Sequence, residues 1–219
     1  MFSRKSTIIA TIFIAFMYLV FVPLVYAATE YKMTDYWPLK EGSWWEYNDG
    51  SMEVVGTEEI NGINTYTYIV KDTGSCSGDN EMPHFNDENG FGVMMPNGDG
   101  TYQTIKVIEP YIEGGDETTA SGVDDGGPFT VTFKLKGIAN VKVPAGKFKK
   151  CLKFLVRVEG TDEDGQCYYY TERVYFAEGV GMIKDVRVKE SGDTGCAFGT
   201  ESLADFNGIR KLKEYFLAD

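Results

Sequence analysis

Over long stretches of this chain polar and apolar residues alternate one for one, and that period of two predicts β-strands wherever it is sustained. Phe129, Val131, Phe133 and Leu135 alternate with Thr130, Thr132, Lys134 and Lys136, which reads as a half-buried strand. After 141–143, Pro144-Ala145-Gly146 predicts a tight turn. The next strand puts Phe148, Leu152, Phe154, Val156 and Val158 on one face and Lys149, Lys153 and Arg157 on the other. An acidic turn at 161–165 returns the chain through 166–176, where Tyr168, Tyr170, Val174 and Phe176 share a side. Gly179-Val180-Gly181 turns it again into 182–188, and 198–206 is expected to be a last strand. Four consecutive strands joined by short turns make an antiparallel meander with one dry face and one wet face.

The earlier half gives a sharper local signal. Residues 52–60 and 63–70 flank Asn61-Gly62, a pair that accepts the positive φ angles of a two-residue hairpin turn. That register pairs Ile60 with Ile63 and Val54 with Ile69. A second hairpin is expected from 91–95 and 101–109 around Asn97-Gly98-Asp99-Gly100, ended by Pro110. In the tail, Ile209, Leu212, Tyr215 and Phe216 recur among lysines at a spacing that predicts a short amphipathic C-terminal helix. The fold class is all-β with minor α: an antiparallel meander forming a curved sheet.

The first 27 residues break this pattern. Arg4 and Lys5 precede an almost unbroken apolar run from Ile8 to Val25, and Val25-Tyr26-Ala27 supplies a small-x-small cleavage site. Residues 1–27 are therefore read as a signal peptide and 28–219 as a single exported domain, periplasmic or extracellular, not inserted in a membrane after cleavage. An uncleaved anchor is the alternative, since the run is near the length of a span. No cysteine follows the run to accept a lipid.

Charge narrows the partners. The chain carries 33 acidic and 21 basic residues, a net charge of −12, and losing Arg4 and Lys5 leaves it more acidic still. Such a surface repels phosphate backbones and anionic headgroups, so no nucleic-acid partner is expected. The acids cluster in Gly-rich segments at 86–100, 112–127 and 161–165, which read as solvated loops.

Export makes the four cysteines candidates for disulfides. With Val158 opposite Gln166, Cys151 and Cys167 lie six positions apart along their hairpin, roughly 20 Å at ~3.3 Å per residue, too far to bridge. Of the three connectivities, Cys167–Cys196 with Cys76–Cys151 is the preferred one.

Candidate chemistry is sparse. His84 is the only histidine, and no Gly-x-Ser-x-Gly accompanies it, so a nucleophilic triad is not indicated. No Cys-x-x-Cys occurs, and the acidic turns at 97–100 and 162–165 lack EF-hand ligand spacing, so neither metal nor cofactor is expected. Paired carboxylates could hydrolyse glycosides, but nothing singles out two. A non-enzymatic protein is the reading. Aromatics are more suggestive: all three tryptophans fall in 37–45, and Tyr168-Tyr169-Tyr170 run together. They could line an apolar cavity, present faces to a sugar, or simply pack a core.

Three motifs occur in order: Tyr36-Trp37-Pro38-Leu39-x-x-Gly42-x-x-Trp45-x-Tyr47, Val143-Pro144-Ala145-Gly146-x-Phe148-x-x-Cys151, and Gly179-Val180-Gly181-Met182-Ile183-Lys184. Together they resemble a group of exported bacterial β proteins related to the periplasmic lipoprotein-carrier type. The resemblance implies an incomplete antiparallel barrel wrapped around an apolar cavity, binding a lipid or other apolar small molecule. The cavity wall is then expected from Trp45, Tyr47, Phe129, Val131, Phe133, Leu152, Phe154, Val156, Tyr168 and Tyr170. The alternatives are a surface interaction or glycan-binding module and, behind it, a carboxylate-based hydrolase.

Overall fold

A computed structural model describes residues 29–72, 80–97, 99–124, 127–161, 167–188 and 209–218. In chain order these form β1 (Tyr31–Lys32), a single helical turn α1 (Met33–Tyr36), β2 (Trp44–Tyr47), β3 (Gly50–Ile60), β4 (Ile63–Asp72), β5 (Asn80–Asp87), β6 (Gly90–Pro96), β7 (Tyr102–Ile108), β8 (Tyr111–Ile112), β9 (Glu117–Asp124), β10 (Gly127–Val143), β11 (Gly146–Thr161), β12 (Cys167–Ala177), β13 (Gly181–Val188) and β14 (Ile209–Phe216). The fold is all-β and antiparallel, as the alternation predicts.

Twelve strands share one sheet in the order β7-β6-β5-β4-β3-β2-β14-β13-β12-β11-β10-β9. Followed from β2, that order is the chain order taken once around a barrel: β2 to β7, then β9 to β13, then β14 back onto β2. The two free edges, β7 and β9, come side by side but exchange no backbone ladder. There the carboxamide of Gln103 acts as a substitute peptide: its Nε2 donates to the carbonyl of Val123, and the Val123 amide donates back to its Oε1 at 3.3 Å. Ile105 packs across the same seam onto Gly122, whose missing Cβ leaves the space that Ile105 Cδ1 and the Phe129 ring occupy. The sheet is nearly closed into a barrel.

Three expectations need correction. The tail is a strand: β14 fills the slot between β13 and β2, pairing Lys184 with Lys211 on one side and Trp45 with Tyr215 on the other. A bulge between Leu212 and Glu214 inserts one residue into its alternation, so buried Leu212 and half-buried Tyr215 stand three apart and imitate helical spacing. Register also shifts. Val158 opposes Tyr170, not Gln166, because β11 and β12 run on until Thr161 meets Cys167. Asn61 (φ 53°) and Gly62 (φ 78°) form the expected turn and pair Ile60 with Ile63, but a bulge between Val54 and Gly56 puts Val54 opposite Tyr68. Finally, the acidic segment 112–127 contains β9, held to β10 by hydroxyl pairs such as Thr119–Thr132 (3.1 Å) and Ser121–Thr130 (3.0 Å). Glu117 and Asp124 thus belong to an edge strand with a wet face, whereas Glu113 and Asp116 lie in the expected turn before it.

The cysteines are also corrected. The expected disulfides are not supported: Cys151 and Cys167 are free thiols, and their expected partners Cys76 and Cys196 lie outside the described residues. The left-handed backbone of Lys150 (φ 55°) bulges β11 and turns Cys151 inward, fully buried beside Leu152. The signal segment and the predicted strand at 198–206 also lie outside the described residues.

Candidate functional site

The barrel interior is built in rows, because residues facing each other across the ladder lie at one level. The inward rows run Phe129–Gly160, then Val131–Val158–Tyr170, then Phe133–Val156–Glu172–Arg187, then Leu135–Phe154–Val174–Asp185–Arg210. Below these, Leu152 opposes Phe176 at the closed end.

That end is filled by the protein itself. The segment carrying β1 and α1 closes the barrel as a plug, and Met33, Tyr36, Trp37 and Leu39 are all buried within it. Trp37 sits among Phe176 (4.9 Å between ring centroids), Phe91 (5.5 Å) and Trp45 (6.4 Å). Asn86 holds the plug's backbone, its Nδ2 donating to the carbonyls of Trp37 (2.7 Å) and Met33 (3.2 Å). The Gly179 amide donates to the Asp35 carbonyl at 2.6 Å, and the Met33 amide to that of Pro110 at 2.9 Å. Trp45 Nε1 donates to Val180 O at 2.6 Å and the Tyr47 hydroxyl to Met182 O at 2.9 Å, so both buried polar atoms are satisfied. Burial drives the Tyr47 phenol far above its ordinary value.

The predicted cavity wall therefore divides. Trp45, Tyr47, Leu152, Phe154 and Val156 are packed in the core around the plug. Phe129, Val131, Phe133 and Tyr170 are half-buried nearer the other end. The side chain of Tyr168 lies outside the description. At the tips of β9 to β12 an open cleft of about 480 Å³ is lined by Phe129 and Gly160 of the inward rows and by Ser121, Thr130, Glu159 and Tyr169, which alternate with the inward positions.

One wall of the interior is charged. Arg187 donates to Glu172 Oε1 through Nη2 (2.8 Å) and Nε (3.2 Å), and stacks 4.2 Å over the Tyr170 ring. Arg210 Nε donates to both oxygens of Asp49, at 3.0 and 3.2 Å, with the Tyr47 ring 5.7 Å from its guanidinium carbon. Between these pairs lies Asp185, buried and opposite Arg210. Burial and the Glu172 carboxylate push its pKa up to about 7, against the pull of Arg210 and Arg187. A group so perturbed inside a barrel is a site candidate on physical grounds.

The sequence reading passed over Asp49, Glu172, Asp185, Arg187 and Arg210, although one signal was present. The inward series Tyr168, Tyr170, Val174, Phe176 skips position 172, and a charge in a row of apolar residues marks a polar spot on an inner face. Among the described residues, no three histidine, cysteine or acidic side chains gather as metal ligands.

No protein-family model and no curated protein matches this chain. Among solved structures, the chain resembles a Bacteroides fragilis protein described as exported and as having a YmcC-like fold. The two share 12% identity over 83% of this chain and 99% of that one, with a TM-score of 0.50. A Parabacteroides distasonis protein described as a lipoprotein aligns at 14% identity, over 83% and 98% of the two chains, with a TM-score of 0.46. The first likeness establishes a shared barrel-like β fold.

Proposed function

We propose that this chain is a non-enzymatic exported protein that takes a lipid or another apolar small molecule with a long chain into the end of its barrel opposite Trp37. The observation that carries the reading is the contrast along the interior. One end is filled by Trp37 and its ring neighbours, whereas Phe129, Val131 and Phe133 stay half-buried toward an end where an open cleft begins. A cleft of about 480 Å³ is within the size range of small-molecule sites, ~300–1,000 Å³. The exported description of the B. fragilis neighbour supports the leader read at residues 1–27, and the lipoprotein-carrier likeness belongs to the same proposal. A sugar-binding surface is less well supported, because Trp37 and Trp45 are 7% and 1% exposed and only Trp44 of the three tryptophans is partly exposed.

The test is organic extraction of the purified chain followed by mass spectrometry, with titration of the delipidated protein by a fluorescent acyl-chain probe. A co-purifying amphiphile, or saturable uptake of the probe, is the expected result. A protein that purifies empty and leaves the probe in water would sink the reading. Sequencing the N-terminus of secreted material should begin at Ala28.

A further inference from the structure

The charged wall does not balance. Asp185 is 8% exposed, and its Oδ1 has no hydrogen-bond partner among the described residues. The charged groups acting on it are Glu172 on β12, Arg187 on its own strand and Arg210 on β14; Tyr47, at the end of β2, adjoins it, and Asp49 just beyond holds Arg210. Each arginine is committed to another carboxylate, Arg187 to Glu172 and Arg210 to Asp49. Among the described residues the cluster holds three carboxylates, Asp49, Glu172 and Asp185, and two guanidinium groups, so with Asp185 ionised these five side chains carry one surplus negative charge.

That surplus discriminates among ligands. A neutral chain offers nothing to the orphan oxygen, and an anionic head would add to the excess. A primary ammonium supplies the missing charge together with three N–H donors, and charge-assisted hydrogen bonds of this type are the strong ones. Around it Glu172, Arg187, Arg210 and Asp49 keep 16%, 21%, 18% and 29% side-chain exposure, so the charged level is not sealed from solvent as the aromatic end is.

Resting on the amphiphile-binding reading above, we propose that the barrel selects an amphiphile whose polar end is a primary ammonium, seated against Asp185 with its chain along Val158, Val131 and Phe129. The register supplies the dimension. Asp185 lies in the row of Leu135, and Phe129 stands six residues along β10 toward the cleft, roughly 20 Å at ~3.3 Å per residue. A long-chain amine fits that span, whereas a small cation would leave the apolar rows uncovered.

The experiment measures binding of decylamine, decanol and decanoate to the purified chain by calorimetry at pH 8, below their aggregation concentrations. Decylamine is expected to bind at least about tenfold more tightly than either of the others, and Asp185→Asn to abolish that preference. In the unaltered chain the preference should shrink from pH 8 to pH 5.5 as Asp185 takes up a proton, the amine staying charged throughout. This series decides the matter even if the variant folds poorly. Equal or tighter binding of decanol or decanoate, or a preference that survives Asp185→Asn, would overturn the proposal while leaving amphiphile binding intact. Failure of all three probes to bind would remove both readings at once.

Discussion

The two ends of the barrel solve opposite problems with the same strands. At the plugged end the inward positions are mostly apolar: Trp45, Tyr47 and Asn86 each donate to a backbone carbonyl, Trp45, Phe91 and Phe176 surround Trp37, and among the described residues the Thr34 hydroxyl and Asn86 Oδ1 are left without a partner. Halfway up, the same faces turn charged, and an aspartate sits in a row with Phe154 and Val174. Burying a carboxylate with an unpaired oxygen is costly, so the second region gives up stability that the first supplies. The contrast separates an end packed with aromatic rings from a charged level whose aspartate keeps an unpartnered oxygen among the described residues.

The contrast is tested most severely in the plug. Trp37→Ala removes the ring shared by Trp45, Phe91 and Phe176 and should destabilise by about 3–5 kcal/mol in denaturant titration. A loss under 1 kcal/mol would mean the plug is not part of the core. At the charged level the sign reverses. The raised Asp185 pKa means the folded state holds a proton that the unfolded chain releases between its ordinary 3.8 and about 7. Stability therefore falls as pH rises through that window, by on the order of a few kcal/mol. Asp185→Asn should flatten this slope and raise Tm at pH 8 by about 5–10 °C. A variant less stable than the parent at pH 8 would contradict the assignment.

Asn86→Ala is a smaller test of how the plug is held. It leaves the Met33 and Trp37 carbonyls without that donor and should cost about 1–3 kcal/mol. Smallest is the seam: Gln103→Ala should cost only about 0.5–1 kcal/mol, since Val123 is exposed. It should nevertheless speed hydrogen exchange of the Val123 amide while leaving amides in β11 unchanged.

The strands from 129 to 188 were legible because their alternation follows the pleat and is reinforced by Gly and Pro turns at 144–146 and 179–181. The Asn61-Gly62 turn was legible for the same local reason. Bulges were not. At Val54/Gly56, at Lys150 and between Leu212 and Glu214, one residue is absorbed into the ladder, and the phase of everything beyond it changes. That is why Cys151 proved buried and why the tail looked helical. The charged wall was hidden for a different reason: Asp185 and Arg187 alternate with Val186 and Val188, and nothing local says which set faces in.

By itself the sequence determined that this chain is a β meander, where most of its turns fall, and which residues of 129–135 and 152–158 point inward. These follow from steric and hydrophobic preferences acting over a few neighbours. Tertiary structure alone decided that the meander closes, with β14 between β13 and β2 and Gln103 clasping the free edges. It also decided that Trp37 plugs one end and that Asp49, Glu172, Asp185, Arg187 and Arg210 meet inside. Those contacts join residues up to 161 positions apart, beyond the reach of any local pattern.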